Sequence, residues 1–335
     1  METIFISPAE METAAKLIQM GETVVFPTET VYGLGADAFN PDAVLKIFKA
    51  KNRPADNPLI AHISSLDMID SLTSDFNPMA QKLAEVFMPG PITLILNKKP
   101  GVPDAVTAGL STVGVRFPKN EIARKFISLA NTPIAAPSAN ISGTVSATTY
   151  ADVKRELSGR VGGMIEGEDC EFGIESTVVD VTKAAPVILR PGSITLEMLQ
   201  SVFPDASLHP SLLSDAAVEK PASPGMKYLH YTPKAEVILV YGDRKKIAAY
   251  FEEHLQSEEC ILLFREEFQS FSKNKLSLGS ASDLNDMARR IFKRLKQVDL
   301  LEFERVYIPA VEETGVGLAV MNRLKKSSGG KAMYL

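Results

Sequence analysis

The residue types that could do chemistry in this chain are concentrated in five short polar clusters. Each cluster follows or interrupts an apolar run, and the five contain Thr28, Glu29 and Thr30; Lys51, Arg53, Asn57 and His62; Ser111, Thr112 and Arg116; Ser138, Asn140, Ser142 and Ser146; and Glu175, Ser176 and Arg190. Small hydroxyl groups and fixed cations are what an enzyme needs to hold an amino acid beside a polyphosphate. The plainer interpretation of residues 26–59 is a strand, a turn and a helix with a basic surface.

Each cluster also has a purely structural interpretation, which the sequence leaves open. A cation at a helix end, as expected for Lys51, complements the helix dipole, and a lone histidine such as His62 is by default a core residue. The glycines within residues 32–35 would serve a turn that needs positive φ. Arg116 lies in a predicted strand, where it is either salt-bridged, the commoner case, or bound to an anionic ligand. Arg53 is harder to dismiss, because a proline stiffens the backbone next to it.

Composition places the chain among ordinary globular proteins. Of 335 residues, 45% are hydrophobic and 23% charged, and the formal net charge is −5, so a polyanion site must be a local basic patch. No apolar run approaches the roughly 20 residues that span a bilayer, and we expect no signal peptide. Cys170 and Cys260 have no CxxC context, which predicts unpaired thiols in a reducing cytoplasm.

Several catalytic motifs are missing from the sequence. There is no P-loop and no GxSxG elbow, and the four histidines have no metal-ligand spacing with Cys, Asp or Glu. Gly315 and Gly317 follow a predicted strand, but Val320 stands where a dinucleotide motif needs its third glycine. We therefore expect chemistry by positioned polar and cationic side chains.

Alternating apolar runs and helix signals predict an α/β protein with two domains. Residues 1–203 alternate strands and helices, including helices at Pro78–Phe87 and Glu121–Ala130. Residues 204–235 contain five prolines and no sustained periodicity, which is typical of a linker. Residues 236–335 restart as strand, helix, strand, helix, strand, helix, which predicts a smaller, Rossmann-like domain with a parallel sheet.

Six motifs occur in an order that matches one protein family. They are PTETVYGLG, KNRPADNPL, STVGVRFP, APSANISG, GIESTVVD and ILRPGS, and together they resemble the YrdC-type L-threonylcarbamoyl-AMP synthases. Lys51-x-Arg53 followed by Ser138-x-Asn140 matches the K-x-R…S-x-N signature of that family. The segment SPGMKYLHY and the tail GLAVMNRLKKSSG are similar to the long, two-domain form, so the resemblance covers essentially the whole chain.

The resemblance implies a fold and a reaction. The fold is an open, twisted mixed sheet with helices and a large concave cavity in the N-terminal domain. The reaction forms L-threonylcarbamoyl-adenylate from L-threonine, bicarbonate and ATP with release of pyrophosphate, and Mg²⁺ is bound through the ATP phosphates. A separate transferase then uses the product to modify adenosine next to the anticodon of tRNA.

The resemblance also implies a role for individual residues. The implied catalytic residues are Lys51, Arg53, Ser138 and Asn140. The implied ATP-binding residues are Arg53, Asn57, Thr112, Ser138, Ser146, Arg190 and Tyr231. The implied threonine-binding residues are Thr30, His62, Arg116, Ala136 through its backbone, and Ser176. No metal-binding side chain is implied.

The proline-rich linker suggests a lid. Carbamates and mixed anhydrides hydrolyse, so the cavity needs a cover, and we expect Lys227, Tyr228, His230 and Tyr231 to fold back over the first domain, with Tyr231 contacting the nucleotide. A passive tether is the alternative.

Two other classes of function stay open at this point. YrdC-like domains have a positively charged concave face, so an RNA-binding module is one alternative, although the net charge of −5 argues against it. A regulatory nucleotide-binding protein built on the C-terminal αβ unit is the other.

Overall fold

The computed structural model describes residues 2–213 and 231–335, which form two compact units. Of these residues, the first unit comprises 2–142, 147–171 and 175–213, and the second comprises 143–146, 172–174 and 231–335. None of the described helices is both long and apolar enough to cross a membrane.

The first unit alternates short strands with helices. Its strands are β1 (Ile4–Ile6), β2 (Val24–Phe26), β3 (Gly33–Asp37), β4 (Ile60–His62), β5 (Ile92–Asn97), β6 (Thr112–Arg116), β7 (Ile134–Ala136), β8 (Gly163–Ile165), β9 (Thr177–Asp180), β10 (Val187–Arg190) and β11 (Ser207–Leu208). Its helices are α1 (Met11–Gln19), α2 (Pro41–Lys51), α3 (Pro78–Phe87), α4 (Asp104–Thr107), α5 (Glu121–Ala130), α6 (Tyr150–Leu157) and α7 (Leu196–Gln200).

The eleven strands form one mixed sheet, as predicted. Their order is β1-β8-β2-β3-β7-β4-β6-β5-β9-β10-β11. At the centre, β7 runs antiparallel to both β3 and β4, whereas β4 and β6 run parallel. In this order β3, β7, β4 and β6 are neighbours, and these four strands carry or adjoin polar clusters.

Helices cover both faces of the sheet because strand side chains alternate between the faces. Val24, Phe26 and Ile134 pack with α1 and α5 on one face. Val25, Ala61 and Val115 pack with α2 and α3 on the other. The result is a three-layer unit with an apolar core on each side of the sheet.

Local capping signals explain why the helices next to the clusters begin and end where they do. The Asn40 side chain accepts from the Ala43 amide at 3.1 Å, and Pro41 occupies the first turn of α2. Helix α2 ends at Lys51, and the next residue, Asn52, has a φ of 52°, which lies in the left-handed region. Asn120 caps α5 in the same way, accepting from Ala123 at 3.0 Å.

The glycines of residues 32–35 belong to a strand, so the alternative of a positive-φ turn is wrong. Neither Gly33 nor Gly35 has positive φ, and both lie in β3. A Cβ on Gly35 would lie 2.4 Å from Ile134 Cγ2, and one on Gly33 would lie 2.9 Å from Phe26 Cζ. These glycines are needed because the Phe26 ring lies across the backbone of β3.

The second unit contains the smaller parallel sheet that the sequence predicts. Its strand order is β14-β13-β15-β12-β16, and every pair is parallel. The elements are β12 (Glu236–Tyr241), α8 (Arg244–His254), β13 (Glu259–Leu263), α9 (Arg265–Phe268), β14 (Lys275–Ser277), α10 (Leu284–Leu300), β15 (Arg305–Pro309), α11 (Val316–Ser328) and β16 (Ala332–Tyr334).

The segment interpreted as a linker is partly structured. Val187 and Ile188 pair in parallel with Ser207 and Leu208, so β11 extends the first sheet, and Pro210–Leu212 forms a 3-10 helix. Lys227, Tyr228 and His230, which the lid hypothesis invokes, lie outside the described residues. The exact domain boundaries stay a prediction.

Candidate active site

Strand register brings two predicted site residues, His62 and Arg116, onto one face of the first sheet. His62 pairs with Ile134 of β7 on one side and with Arg116 of β6 on the other. Ala61 and Val115 point into the core with α2 and α3, so His62 and Arg116 face the opposite side. Leu94 pairs with Val115, which places its neighbour Thr93 on the same face as Arg116.

Lys51 joins the two halves of the K-x-R…S-x-N signature. Lys51 is 1% exposed, and its ammonium donates to the backbone carbonyls of Ser138 and Asn140. The Ser142 amide in turn donates to the Lys51 carbonyl at 2.8 Å. A cation that only complements a helix dipole would remain in solvent. The helix dipole alone therefore does not explain the buried position of Lys51.

The turn held by Lys51 is also ordered internally. Ser138 Oγ donates to Asn140 Oδ1 at 2.5 Å, and Asn140 Nδ2 donates to the Ile141 carbonyl at 2.9 Å. The backbone bridge between Gly33 and Ser138 ties the turn to β3. Three segments distant in sequence therefore meet at this point.

The proline-rich loop after α2 is held by hydrogen bonds from its own arginine, Arg53, to backbone carbonyls of the loop. Arg53 Nη2 donates to the carbonyls of Asn57 and Pro58 at 3.3 and 3.4 Å. Asn57 is 1% exposed, yet neither the oxygen nor the nitrogen of its carboxamide has a hydrogen-bond partner in the described part of the chain. An unpaired buried amide costs about 1–3 kcal/mol, so this group is suited to a ligand.

His62 is a neutral hydrogen-bond acceptor. Nδ1 lies 3.0 Å from the Ile60 carbonyl and 3.3 Å from that of Ile134. Because carbonyls only accept, the proton is assigned to Nδ1, and Nε2 keeps its lone pair. Burial and, second, the positive charge of Arg116 lower the pKa of His62 to about 3. Such a weak base can orient a donor but does not remove protons near neutral pH.

The burial of His62 predicts that the stability of the folded protein depends on pH. The pKa of His62 is about 3 in the folded protein, against about 6.5 in the unfolded chain. The unfolded state therefore binds the extra proton between these values. The free energy of unfolding should fall by up to about 1.4 kcal/mol per pH unit as pH drops below 6.5.

Urea denaturation at several pH values between 7.5 and 4.5 measures this dependence. His62→Gln should have a shallower pH dependence than the unmodified protein. His254→Gln, at an exposed histidine, is the matched control and should leave the slope unchanged. An identical slope in the His62 variant would contradict the assignment.

Arg116 is salt-bridged, which was the commoner of its two expected interpretations. Nη2 donates to Glu29 Oε1 at 2.7 Å, and both side chains are almost fully buried. Its Nε is also buried but has no hydrogen-bond partner among the described residues. The guanidinium can thus hold an anionic ligand while it keeps its ion pair.

Ser176 and Arg190 form a second buried polar group. Arg190 Nε donates to the Ser176 carbonyl at 3.1 Å, and Nη2 reaches Ser176 Oγ at the same distance. Thr93 Oγ1 lies 2.8 Å from Ser176 Oγ. A residue implied in ATP binding therefore directly contacts one implied in threonine binding.

Three more predicted residues lie in the first unit. Thr30 is fully buried, and its hydroxyl is 2.9 Å from that of Thr28. Ala136 ends β7 opposite Ile60, and Thr112 begins β6 with a half-buried side chain.

Two predicted residues belong to the second unit. Ser146 is buried. The Tyr231 ring stacks on Phe292 with 5.1 Å between centroids, and Ser327 Oγ donates to the Tyr231 carbonyl at 2.8 Å. A contact between Tyr231 and nucleotide stays a prediction.

Glu29 and Thr93 also take part in these networks, although neither is among the site residues predicted from the sequence. Thr93 could have been noticed as a hydroxyl in the otherwise apolar run Ile92–Leu96. Glu29 was visible as an acid between two threonines, but its partner is 87 residues away. Neither signal identifies what the side chain binds.

Comparison with known proteins gives the family. The Sua5/YciO/YrdC family model, described as telomere recombination, matches residues 16–192, and the model for the C-terminal domain of threonylcarbamoyl-AMP synthase matches residues 194–329. The chain belongs to the Sua5/YrdC family.

Relatives of this Sua5/YrdC chain match it over almost its full length. Threonylcarbamoyl-AMP synthase of Pyrococcus abyssi is 44% identical, with 96% of this chain and 94% of the relative covered. The synthase of Bacillus subtilis is 40% identical, with 97% and 94% covered. The structure of P. abyssi Sua5 complexed with L-threonine has a TM-score of 0.91 and 41% identity, and covers 100% of both chains. The chain shares the two-domain Sua5 fold.

Proposed function

We propose that this protein synthesises L-threonylcarbamoyl-adenylate. L-Threonine, bicarbonate and ATP would give the product, pyrophosphate and water, and the product would supply threonylcarbamoylation of tRNA adenosine next to the anticodon. The observation that carries the proposal is the contact of Lys51 with the carbonyls of Ser138 and Asn140. It assembles the family signature into one buried cationic site.

The threonine subsite is formed by Thr30, His62, Arg116, Ser176 and the backbone of Ala136. Arg116 would bind the threonine carboxylate, since its buried Nε has no partner among the described residues. His62 Nε2 would accept a hydrogen bond from the amine or hydroxyl, because Nδ1 faces two carbonyls. The low pKa of His62 keeps it neutral, so it does not repel the amine.

Within the first unit, the nucleotide and bicarbonate subsite combines three cations with polar groups: Lys51, Arg53, Arg190, Asn57, Thr112, Ser138 and Asn140. The family resemblance also implies ATP-binding roles for Ser146 and Tyr231, which belong to the second unit. Mg²⁺ would enter with ATP and would help to neutralise the charge of the phosphates. The cations Lys51, Arg53 and Arg190 would offset charge on the departing pyrophosphate.

The chemistry would proceed in two steps. The threonine nitrogen forms a bond to the bicarbonate carbon with loss of water, giving a carbamate. A carbamate oxygen then attacks the α-phosphorus of ATP, and the bond to the pyrophosphate oxygen breaks. Positioning and electrostatic stabilisation would supply most of the rate, because His62 is too weak a base near neutral pH.

The test is a pyrophosphate-release assay with omission of single substrates. Release should require L-threonine, bicarbonate and ATP together, and the adenylate should be detected by mass spectrometry. Release that persists without threonine or without bicarbonate would refute the proposal. RNA binding without any substrate-dependent release would favour the alternative of an RNA-binding module.

The unpartnered amide of Asn57 leads to a specific prediction. Asn57→Ala should weaken ATP binding about tenfold, since about 1.4 kcal/mol of ligand hydrogen bonding is lost. It should change the free energy of unfolding by less than about 1 kcal/mol, because no hydrogen bond within the described chain is lost. Calorimetric titration with ATP and thermal denaturation measure the two quantities.

Asn40→Ala is the matched control for Asn57. Its side chain caps α2, so this change should lower stability by about 1 kcal/mol and leave ATP affinity unchanged. If Asn57→Ala instead lost stability and kept its ATP affinity, the amide would be structural only.

Location and partners follow from the proposed reaction. Both described cysteines are free and buried, which fits a reducing compartment such as the cytoplasm. A transferase that moves the threonylcarbamoyl group to tRNA would be the downstream partner. Direct contact of this chain with tRNA would be a weaker, secondary interaction.

A further inference from the structure

We propose that Glu29 is a positioning residue that sets the affinity of the site for its amino-acid substrate by holding the guanidinium of Arg116. The inference rests on the proposed function, because it takes the threonine carboxylate as the ligand of Arg116. It assigns a role to the glutamate of the PTET motif, which the proposed binding residues do not include.

Glu29 is held from two sides. Its side chain is 2% exposed, and Oε1 accepts from Arg116 Nη2 at 2.7 Å. On the other side, the Asn120 backbone amide at the start of α5 donates to Oε2 over a longer 3.5 Å. The carboxylate therefore links the arginine of β6 to a rigid helix, and the position of α5 determines where Nη2 can lie.

Because Glu29 holds Nη2 of Arg116, the Nε–H donor of the same guanidinium is also oriented. A guanidinium is planar, so fixing one nitrogen restricts the plane and the direction of the other donors. Nε of Arg116 is buried and has no partner among the described residues. A substrate carboxylate would meet a donor whose direction is already set, which lowers the ordering cost of binding.

Glu29 is also one of the residues that line a cavity of about 370 Å³, together with Thr28, Asn120, Arg124 and Glu168, among others, although its own side chain is only 2% exposed. The hydrogen bonds from Arg116 and Asn120 set the direction of the buried carboxylate. Shortening the side chain would separate it from Nη2, so Arg116 would lose the contact that aligns it.

Two substitutions separate position from charge. Glu29→Gln keeps the reach and one acceptor oxygen but removes the charge. Glu29→Asp keeps the charge but is one methylene too short for the 2.7 Å contact. If the position of the carboxylate matters, Glu29→Asp should weaken threonine binding more than Glu29→Gln does. A purely electrostatic role predicts that Glu29→Gln weakens it more.

The measurements are calorimetric titration with L-threonine and with ATP, alongside the Michaelis constants and kcat of pyrophosphate release. We expect the threonine Kd and KM to rise about 30-fold or more in Glu29→Asp and about three- to tenfold in Glu29→Gln, with ATP values within threefold. Glu121→Gln, at an exposed carboxylate on α5, is the control and should leave all values unchanged.

The outcomes are distinguishable. An unchanged threonine Kd in both variants, or a greater loss in Glu29→Gln than in Glu29→Asp, would overturn the inference. Equal loss of threonine and ATP binding would also overturn it, since that indicates general damage. If Glu29→Asp does not fold, Glu29→Gln decides: a rise of about three- to tenfold confined to the threonine Kd supports the inference, whereas no rise, or a rise of about 30-fold or more, refutes it. Failure of the proposed function would show separately, as unmodified protein whose pyrophosphate release does not depend on threonine and bicarbonate.

Discussion

Replacement of Lys51 with alanine should lower the rate of pyrophosphate release by about 100-fold or more. The ammonium is buried and donates to the carbonyls of Ser138 and Asn140. The change removes a cation from the proposed phosphate site. It also leaves two inward-facing carbonyls without their donor, so the Ser138–Asn140 turn loses its anchor. Because one tenfold change in rate corresponds to 1.36 kcal/mol, the expected loss is about 2.7 kcal/mol.

The matched control is Lys49→Ala, since Lys49 is an exposed lysine in the same helix. It should leave kcat and the Michaelis constants for L-threonine, bicarbonate and ATP unchanged. Arg53→Ala should behave like Lys51→Ala, because both cations belong to the proposed phosphate site. If both variants released pyrophosphate within a few-fold of the normal rate, catalysis by fixed cations would be wrong.

Replacement of Arg190 with alanine should raise the Michaelis constants for ATP and for threonine together. Arg190 is implied in nucleotide binding, yet it donates to both the carbonyl and the hydroxyl of Ser176, which is implied in threonine binding. Loss of the arginine should therefore release Ser176 as well as the phosphates. We expect kcat/KM for each substrate to fall by about 100-fold, since charge-assisted hydrogen bonds contribute about 1.5–3 kcal/mol each.

Steady-state kinetics with each substrate varied in turn test this coupling. Arg190→Lys keeps the charge but cannot make both contacts in the geometry of a guanidinium, so it should restore ATP binding better than threonine binding. Arg160→Ala, at an exposed arginine of the same unit, is the control. A rise confined to the ATP constant in Arg190→Ala would show that Ser176 is held by other contacts.

Local signals were sufficient for most helices. The predicted bounds of α3 and α5 agree with the structure, because Asn77 and Asn120 each provide a side-chain cap directly before the helix. The capping information lies within four residues of the boundary. The start of each of these two helices is therefore marked by a local signal.

Short strands were harder to predict. β1, β8, β14 and β16 are three residues long, and β1, β14 and β16 lie at sheet edges. β14 alternates Lys275, Leu276 and Ser277, which is too brief for a periodic pattern. For residues 32–35 the alternative of a positive-φ glycine turn was wrong, because the close contacts of Gly33 and Gly35 with Phe26 and of Gly35 with Ile134 arise from strand pairing.

The sequence by itself determined the class of fold, the family and the set of polar residues from which the site is built. These are encoded in local order: caps, apolar runs and six short motifs in sequence. Only the tertiary structure decided which residues face each other. It paired Arg116 with Glu29, Lys51 with the carbonyls of Ser138 and Asn140, and Arg190 with Ser176. The first two pairings span 87 to 89 residues and follow from strand order and register, which no local pattern records.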